Sequence, residues 1–132
     1  MIINAQFKIY QAWKYWHSCD PKDTPPVELW WTSKIGSSMN WHNQATWQQE
    51  LTQVQSVPKA GYCSPDWVGF DIKSKMQDAA NGNWPDVTLG LKDECECGVG
   101  GWKRFFSQWS NNMHIFPRIE VTFNHWPDDP RN

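Results

Sequence analysis

The sequence predicts an all-β fold, a β-sandwich or jelly roll with one short helix at about residues 74–81. Three observations predict this fold class. Several short segments alternate apolar and polar side chains, which is the period of a strand with one buried face. The 9 Pro and 8 Gly are spread along the 132 residues, so turns separate these segments. One segment alone has helical spacing, which excludes a helical bundle.

The first half of the chain contains three predicted strands. Residues 3–10 form the first strand, and its inward side chains are Ile3, Ala5, Phe7 and Ile9. Prolines interrupt the chain before the second strand, 27–31, because they cannot donate to a sheet ladder. The sequence predicts a long ordered loop over residues 33–48. A weaker strand follows at 51–57.

The second half alternates strands with the helix. Residues 67–72 form a strand with Val68, Phe70 and Ile72 inward, and the helix follows with Met76, Ala79 and Ala80 on one face. Ser74 is the expected N-cap, and Asn81-Gly82 is the expected end of the helix. Further strands are predicted at 87–91, 102–106 and 118–124, the last with Ile119, Val121 and Phe123 inward. Residues 1–126 make one domain, and 127–132 form a linker-like tail.

Charge and hydropathy exclude several classes of protein. The net charge is -2, from 12 basic and 14 acidic residues, so no basic excess exists to neutralise nucleic acid. No apolar run is long enough to span a membrane, and we expect no membrane insertion. The first residues do not have the pattern of a signal peptide. We expect any secretion signal to have been removed or to lie on a longer parent chain.

Tryptophan is the compositional outlier, with 11 residues in the chain. Trp is rarely buried completely, so some indoles should lie on the surface. A flat indole suits the C–H face of a sugar ring, and neighbouring amides and carboxylates suit its hydroxyls. We therefore predict ligand contact by the loop residues Trp13, Trp16, Trp41, Trp47, Trp84 and Trp109. Alternatively, some of these side chains pack against the sandwich.

No motif indicates an enzyme. The sequence contains no nucleophile elbow, phosphate-binding loop or His-Glu-x-x-His. Asp71, Asp93 and Glu94 could supply a glycosidase pair, but a turn or capping role suits Asp71 better. We predict no metal centre, because no two of His17, His42, His114 and His125 have helical ligand spacing. No cofactor is expected, apart from a Ca²⁺ ion that Asp93 and Glu94 could hold.

Segments along nearly the whole chain resemble the DNRLRE domain, a carbohydrate-binding-module-like β-sandwich of secreted bacterial surface proteins. The matching segments are AQFKIY (5–10), PVELW (26–30), IGSS (35–38), WHNQ (41–44) with Trp47, GYC (61–63), VGFDI (68–72), DAANG (78–82), VTLGL (87–91), GWKRF (101–105) and PRIEV (117–121). The resemblance implies a sandwich without catalysis, at the cell surface. The family domain usually has further strands before the segment at 5–10, so the sandwich could have an open edge there. Either a loop of this chain, such as 107–116, or a second copy would then cover that edge.

The four cysteines suit an oxidising compartment. The resemblance implies a disulfide between Cys19 and Cys63. Cys95 and Cys97 are separated by one residue, and a disulfide, free thiols and a metal clip all remain open for this pair.

The sequence thus predicts an extracellular, non-catalytic module whose partner is a polysaccharide, within a larger surface protein. The rival prediction is a structural subunit that joins further copies of itself through the open edge. A glycan-active hydrolase is the minor alternative.

Overall fold

Two antiparallel sheets and one short helix make up the described part of the chain, which confirms the predicted all-β, sandwich-like class. The computed structural model describes residues 1–14, 25–55, 66–94, 102–107 and 113–124. The elements are β1 (Ile2–Lys14), β2 (Pro26–Thr32), β3 (Trp47–Gln55), β4 (Asp66–Asp71), α1 (Lys73–Gly82), β5 (Thr88–Asp93), β6 (Lys103–Phe105) and β7 (Arg118–Phe123). A 3-10 turn, Met113–Ile115, precedes β7.

Sheet A is built around β1, a strand of 13 residues. Strand β4 pairs with one edge of β1, from Gln6 opposite Asp71 to Gln11 opposite Asp66. Strands β7 and β6 follow each other along the other edge, with β7 beside residues 2–8 of β1 and β6 beside residues 11–14. All three pairings are antiparallel.

The edge of β1 that the missing strands could have left open is covered within the same chain, by β7 and β6 instead of the expected loop at 107–116. Residues 6–8 have a partner strand on each side within the same chain, because β4 and β7 both pair with them. The first strand is therefore a central strand. Its partner β7 lies more than 100 residues downstream, a pairing that local sequence patterns do not reveal.

Sheet B has the order β3-β2-β5. The register with β5 places Leu29 opposite Leu91 and Trp31 opposite Leu89. Strand β3 begins at Trp47 instead of Leu51, so the loop before it ends at residue 46. This early start brings Trp47 onto the sheet, opposite Thr32.

The core lies between the two sheets. It consists of Ala5, Ile9, Val27, Leu29, Val68, Phe70 and Ile72, all buried. The inward positions that were predicted for β4 are thus confirmed. Ile3 is exposed, contrary to the prediction, because the β1–β7 register shifts between Ile2 and Asn4 and Ile2 packs against the core instead.

Strand β7 is oriented as predicted but is not buried. Val121 is opposite Ala5 and Ile119 is opposite Phe7, so both side chains lie on the core face of sheet A. They are nevertheless 38% and 46% exposed, and Phe123 is also exposed. The core cluster contains no residue of β7, so this end of sheet A extends beyond the packed layer. The expectation that Ile119, Val121 and Phe123 are buried is therefore wrong.

Helix α1 covers 73–82, one residue longer at each end than predicted. Ile72 is the N-cap and makes no side-chain cap hydrogen bond, so the predicted cap at Ser74 is wrong. The helix ends because Asn83 adopts the left-handed conformation, with φ 52°. Ala79 is buried as expected, whereas Ala80 is exposed and Lys75 takes a buried position. In the described ranges, no helix has the length and apolar character needed to cross a membrane.

Candidate functional site

The loop 33–46 crosses the outer face of sheet B. Hydrogen bonds fix its two ends to each other and also fix its tip. Where the loop begins and ends, the backbone N–H of Ser33 donates to the carbonyl of Thr46 (2.9 Å), and the N–H of Thr46 donates to Ser33 Oγ (2.8 Å). At the tip, Asn40 Oδ1 accepts from the backbone N–H groups of His42 and Asn43, both at 2.9 Å. An asparagine that binds the backbone two and three residues ahead is a turn former, and this turn presents Trp41.

One glutamine connects the two loop tryptophans. Gln44 Nε2 donates to the carbonyl of Trp41 (3.0 Å), and Gln44 Oε1 accepts from Trp47 Nε1 (3.1 Å). The side chain of Trp41 is 76% exposed, whereas that of Trp47 is half-buried. Gln44 therefore links the backbone of solvent-facing Trp41 to the indole of Trp47, which lies on the sheet.

Trp47 lies directly against the backbone of β5. A Cβ atom built on Gly90 would be only 2.7 Å from Cζ3 of Trp47 and 3.1 Å from Cγ2 of Thr32. A residue with a side chain would therefore displace the ring. Glycine at position 90 lets the indole approach the strand closely.

A groove of about 450 Å³ lies between the loop and sheet B, and we call it the Trp41 groove. Among the described residues, no charged side chain lines it. The lining residues are Thr32, Ile35, Met39, Asn40, Trp41, Gln44, Ala45, Trp47, Thr88, Leu89, Gly90 and Leu91. Indoles, aliphatic side chains, amides and hydroxyls thus surround the same space, a combination that suits an uncharged ligand with both apolar faces and hydroxyl groups.

A second layer of contacts supports Trp47. Trp30 meets it edge to face with 6.0 Å between ring centroids. The ammonium group of Lys92 lies 5.4 Å from the Trp30 ring and 5.3 Å from the Trp47 ring. Buried Glu28 accepts from Trp30 Nε1 at 2.9 Å, so the supporting indole is itself fixed. Sequence reasoning missed Trp30. Trp30 follows core residue Leu29 in the same strand, so it points to the opposite, outer face. This alternation could have placed it on the face that the loop crosses.

The structure brings together two of the six predicted tryptophans, Trp41 and Trp47. Trp84 lies elsewhere: it stacks on Trp31 at 5.2 Å, and the buried ammonium of Lys75 lies 4.2 Å from the Trp31 ring. This arrangement packs α1 against the sandwich. Trp13 lies on sheet A beside Arg104. Trp16 and Trp109 lie outside the described residues.

The described residues contain no group of three or more His, Cys, Asp or Glu side chains that could hold a metal ion. Asp71 Oδ1 accepts from the backbone N–H of Lys73 at 3.0 Å, as expected of a capping residue. Asp93 Oδ1 is buried and has no hydrogen-bond partner there. Among the described residues, it is the one buried carboxylate oxygen without a hydrogen-bond partner. Within the same residues, no group of three or more acidic or other metal-binding side chains surrounds the predicted Ca²⁺ site. All four cysteines, His17 and His125 lie outside the described residues.

No known protein-family model matches the chain, and a search of curated proteins finds no match.

Proposed function

We propose that this protein is a non-catalytic carbohydrate-binding module that holds a neutral polysaccharide in the Trp41 groove. The observation that supports it is the pairing of Trp41, 76% exposed, with half-buried Trp47 along a groove whose described lining residues are all uncharged. The proposed ligand follows from this lining, since an ionised ligand would find no opposite charge in the groove. The resemblance to the DNRLRE domain supports the same class of function and an extracellular location.

Trp41 supplies the ring on which a sugar stacks. Gln44 binds its backbone carbonyl, and the Asn40 turn fixes the backbone beside it. The backbone of the loop therefore loses little conformational freedom on binding. Asn40, Thr88 and Thr32 stand within the groove, where polar groups can orient a ligand by its hydroxyls. The bound sugar would thus meet an indole on one side and polar groups on the other.

The test is titration with neutral soluble polysaccharides, a β-glucan, an α-glucan and chitin oligosaccharides, followed by calorimetry and tryptophan fluorescence. Covering about 80 Å² of indole contributes roughly 2 kcal/mol at ~25 cal/mol per Å². Trp41→Ala should therefore weaken binding about 30-fold. Trp102→Ala is the matched control, because Trp102 is 59% exposed and precedes β6 on sheet A. Absence of binding across the panel, or full binding by the Trp41 variant, would contradict the proposal.

A second candidate function is assembly with further copies through β7. In the described ranges β7 pairs with β1 alone, and Ile119 and Val121 on its core face are exposed. Antiparallel pairing of two copies about Val121 would set Glu120 opposite Thr122, so no like charges face each other directly. Light scattering after size-exclusion chromatography tests this function. A dimer that Val121→Lys dissociates would support it, and a monomer at all concentrations would contradict it.

A further inference from the structure

The outer face of sheet A, opposite the core, differs in chemistry from the Trp41 groove. The strand register sets Lys8 opposite Arg118 and Tyr10 opposite Trp67. The bulge in β1 then sets Trp13 opposite Arg104. Residues that face each other across an antiparallel pair share one side of the sheet. Basic and aromatic side chains therefore run together along the outer face of β1.

Both arginines of this face are stacked on tryptophan. The guanidinium carbon of Arg118 lies 4.6 Å from the centre of the Trp67 ring, and that of Arg104 lies 5.5 Å from the centre of the Trp13 ring. Each cation occupies the ring face on which a sugar would otherwise stack. Trp67 also contacts Tyr10 edge to face, with 5.3 Å between the ring centroids. The face thus presents ordered guanidinium groups to solvent instead of bare indoles.

A carboxylate between the strands fixes Arg118 further. Its Nε donates to Glu120 Oε1 at 2.8 Å, while Lys8 Nζ lies 2.9 Å from Glu120 Oε2. The hydrogen bond from Lys8 contributes most to holding the pKa of Glu120 below its usual value; desolvation opposes it, and the hydrogen bond from Arg118 adds to the lowering. Glu120 is therefore ionised at neutral pH. The bond from Arg118 uses Nε and not the two terminal nitrogens, the pair that can bind a carboxylate side by side.

Positive charge prevails along this stretch of sheet A, in a chain whose net charge is -2. Among the described residues of this stretch, Lys8, Arg104 and Arg118 are positive and Glu120 is negative. Asp71 shares the side of the sheet with Gln6, but it lies at the far end of β4, where its carboxylate accepts from the backbone N–H of Lys73. From Lys8 to Trp13 the strand advances roughly 15 Å at about 3.3 Å per residue. The two arginines are therefore spaced to meet separate charges on an extended ligand.

We propose that the outer face of sheet A binds the carboxylates of a uronate-bearing polysaccharide, at a site separate from the Trp41 groove. Stacked guanidinium groups match carboxylate geometry and lose little freedom on binding, which gives the site its selectivity. The choice of an acidic polysaccharide over an acidic peptide rests on the proposed carbohydrate-binding function. Nucleic acid is a less suitable ligand, because it needs a denser row of cations than these three basic residues and because the protein has a net negative charge.

The experiment measures binding of the full chain to polygalacturonate by calorimetry, with methyl-esterified polygalacturonate as the matched ligand. Arg104→Gln and Arg118→Gln should each weaken binding about tenfold, since each removes a charge-assisted hydrogen-bond pair. Lys34→Gln is the control: Lys34 is an exposed cation that pairs with Asp86 at 3.4 Å, outside sheet A. Circular dichroism establishes that each variant is folded. If Arg118→Gln unfolds the domain, Arg104→Gln and Arg118→Lys carry the test.

Binding to polygalacturonate that falls with added salt, is lost on esterification and survives Trp41→Ala would support the proposal. No binding, or equal loss in the Lys34 control, would overturn the site. Equal affinity for polyglutamate or a single-stranded oligonucleotide would overturn the ligand class. Failure of the Trp41 groove would be seen separately, because it concerns neutral ligands and a different variant.

Discussion

Replacing Gly90 by alanine tests the contact on which the Trp41 groove is built. The new Cβ would lie 2.7 Å from Trp47 Cζ3, 3.0 Å from Cη2 and 3.1 Å from Thr32 Cγ2. Carbon atoms in contact are ordinarily about 3.5–4.0 Å apart, so the ring must move by roughly 1 Å. Overpacking of this kind costs about 1–3 kcal/mol. Alanine returns about 0.4–1 kcal/mol by restricting the unfolded chain.

We therefore expect Gly90→Ala to lower the free energy of unfolding by about 1–2 kcal/mol, or the melting temperature by roughly 4–8 °C. Urea and thermal unfolding, followed by circular dichroism, measure both quantities. Affinity for neutral glycans should fall as well, because the displaced indole loses its hydrogen bond to Gln44. Trp47 fluorescence would report the changed environment.

Gly36→Ala is the matched control. Gly36 lies in the loop 33–46, but a Cβ atom there would have no other atom within 4 Å. Its stability should stay within about 0.5 kcal/mol of the wild type. If Gly90→Ala proves as stable as Gly36→Ala, the close approach of Trp47 to β5 does not exist in solution, and the proposed shape of the groove is refuted.

Three further predictions concern other parts of the molecule. Lys75→Ala should cost about 1–2 kcal/mol by removing an 8% exposed side chain and its cation–π contacts, whereas the same change at exposed Lys73 should cost little in urea unfolding. Because the pKa of Glu120 is held below 4.5 in the folded state, its ion pairs stabilise the protein above that pH; the stability advantage over Glu120→Gln should disappear as pH falls through the lowered pKa, in a series of urea melts. Non-reducing peptide mapping should recover Cys19 linked to Cys63, and reduction should cost about 2–5 kcal/mol; free thiols at both positions would reject the bridge.

Sequence reasoning succeeded where a local pattern decides the structure. Alternation identified the strand with Val68 and Phe70 inward, and the exposed loop identified Trp41 as a surface indole. The pattern also oriented β7 correctly. It could not show that Ile119 remains exposed, because burial depends on how far the opposite sheet extends, which is a property of the tertiary structure.

Local sequence patterns likewise predict only part of the candidate site. Trp41 and Trp47 lay in one predicted loop, whereas Trp84 was grouped with them only because it too lay between elements. The stacking of Trp84 on Trp31 depends on how α1 docks, which no local spacing encodes. The role of Gly90 was also hidden, because its significance lies in the indole above it and not in its own backbone.

The pairing of β1 has a consequence for how the protein acquires its structure. β1 is synthesised more than 100 residues before its partner strand, because its residues 2–8 pair with the segment Arg118–Phe123. Sheet A therefore cannot be completed until residue 123 has been synthesised, and loop closure over such a separation slows folding. During that interval the N-terminal strand has an unpaired edge beside apolar side chains, a state prone to aggregation. A chain that stops before residue 118 would keep that edge permanently, so we expect truncation from the C-terminus to abolish soluble expression well before it reaches the core residues of β4.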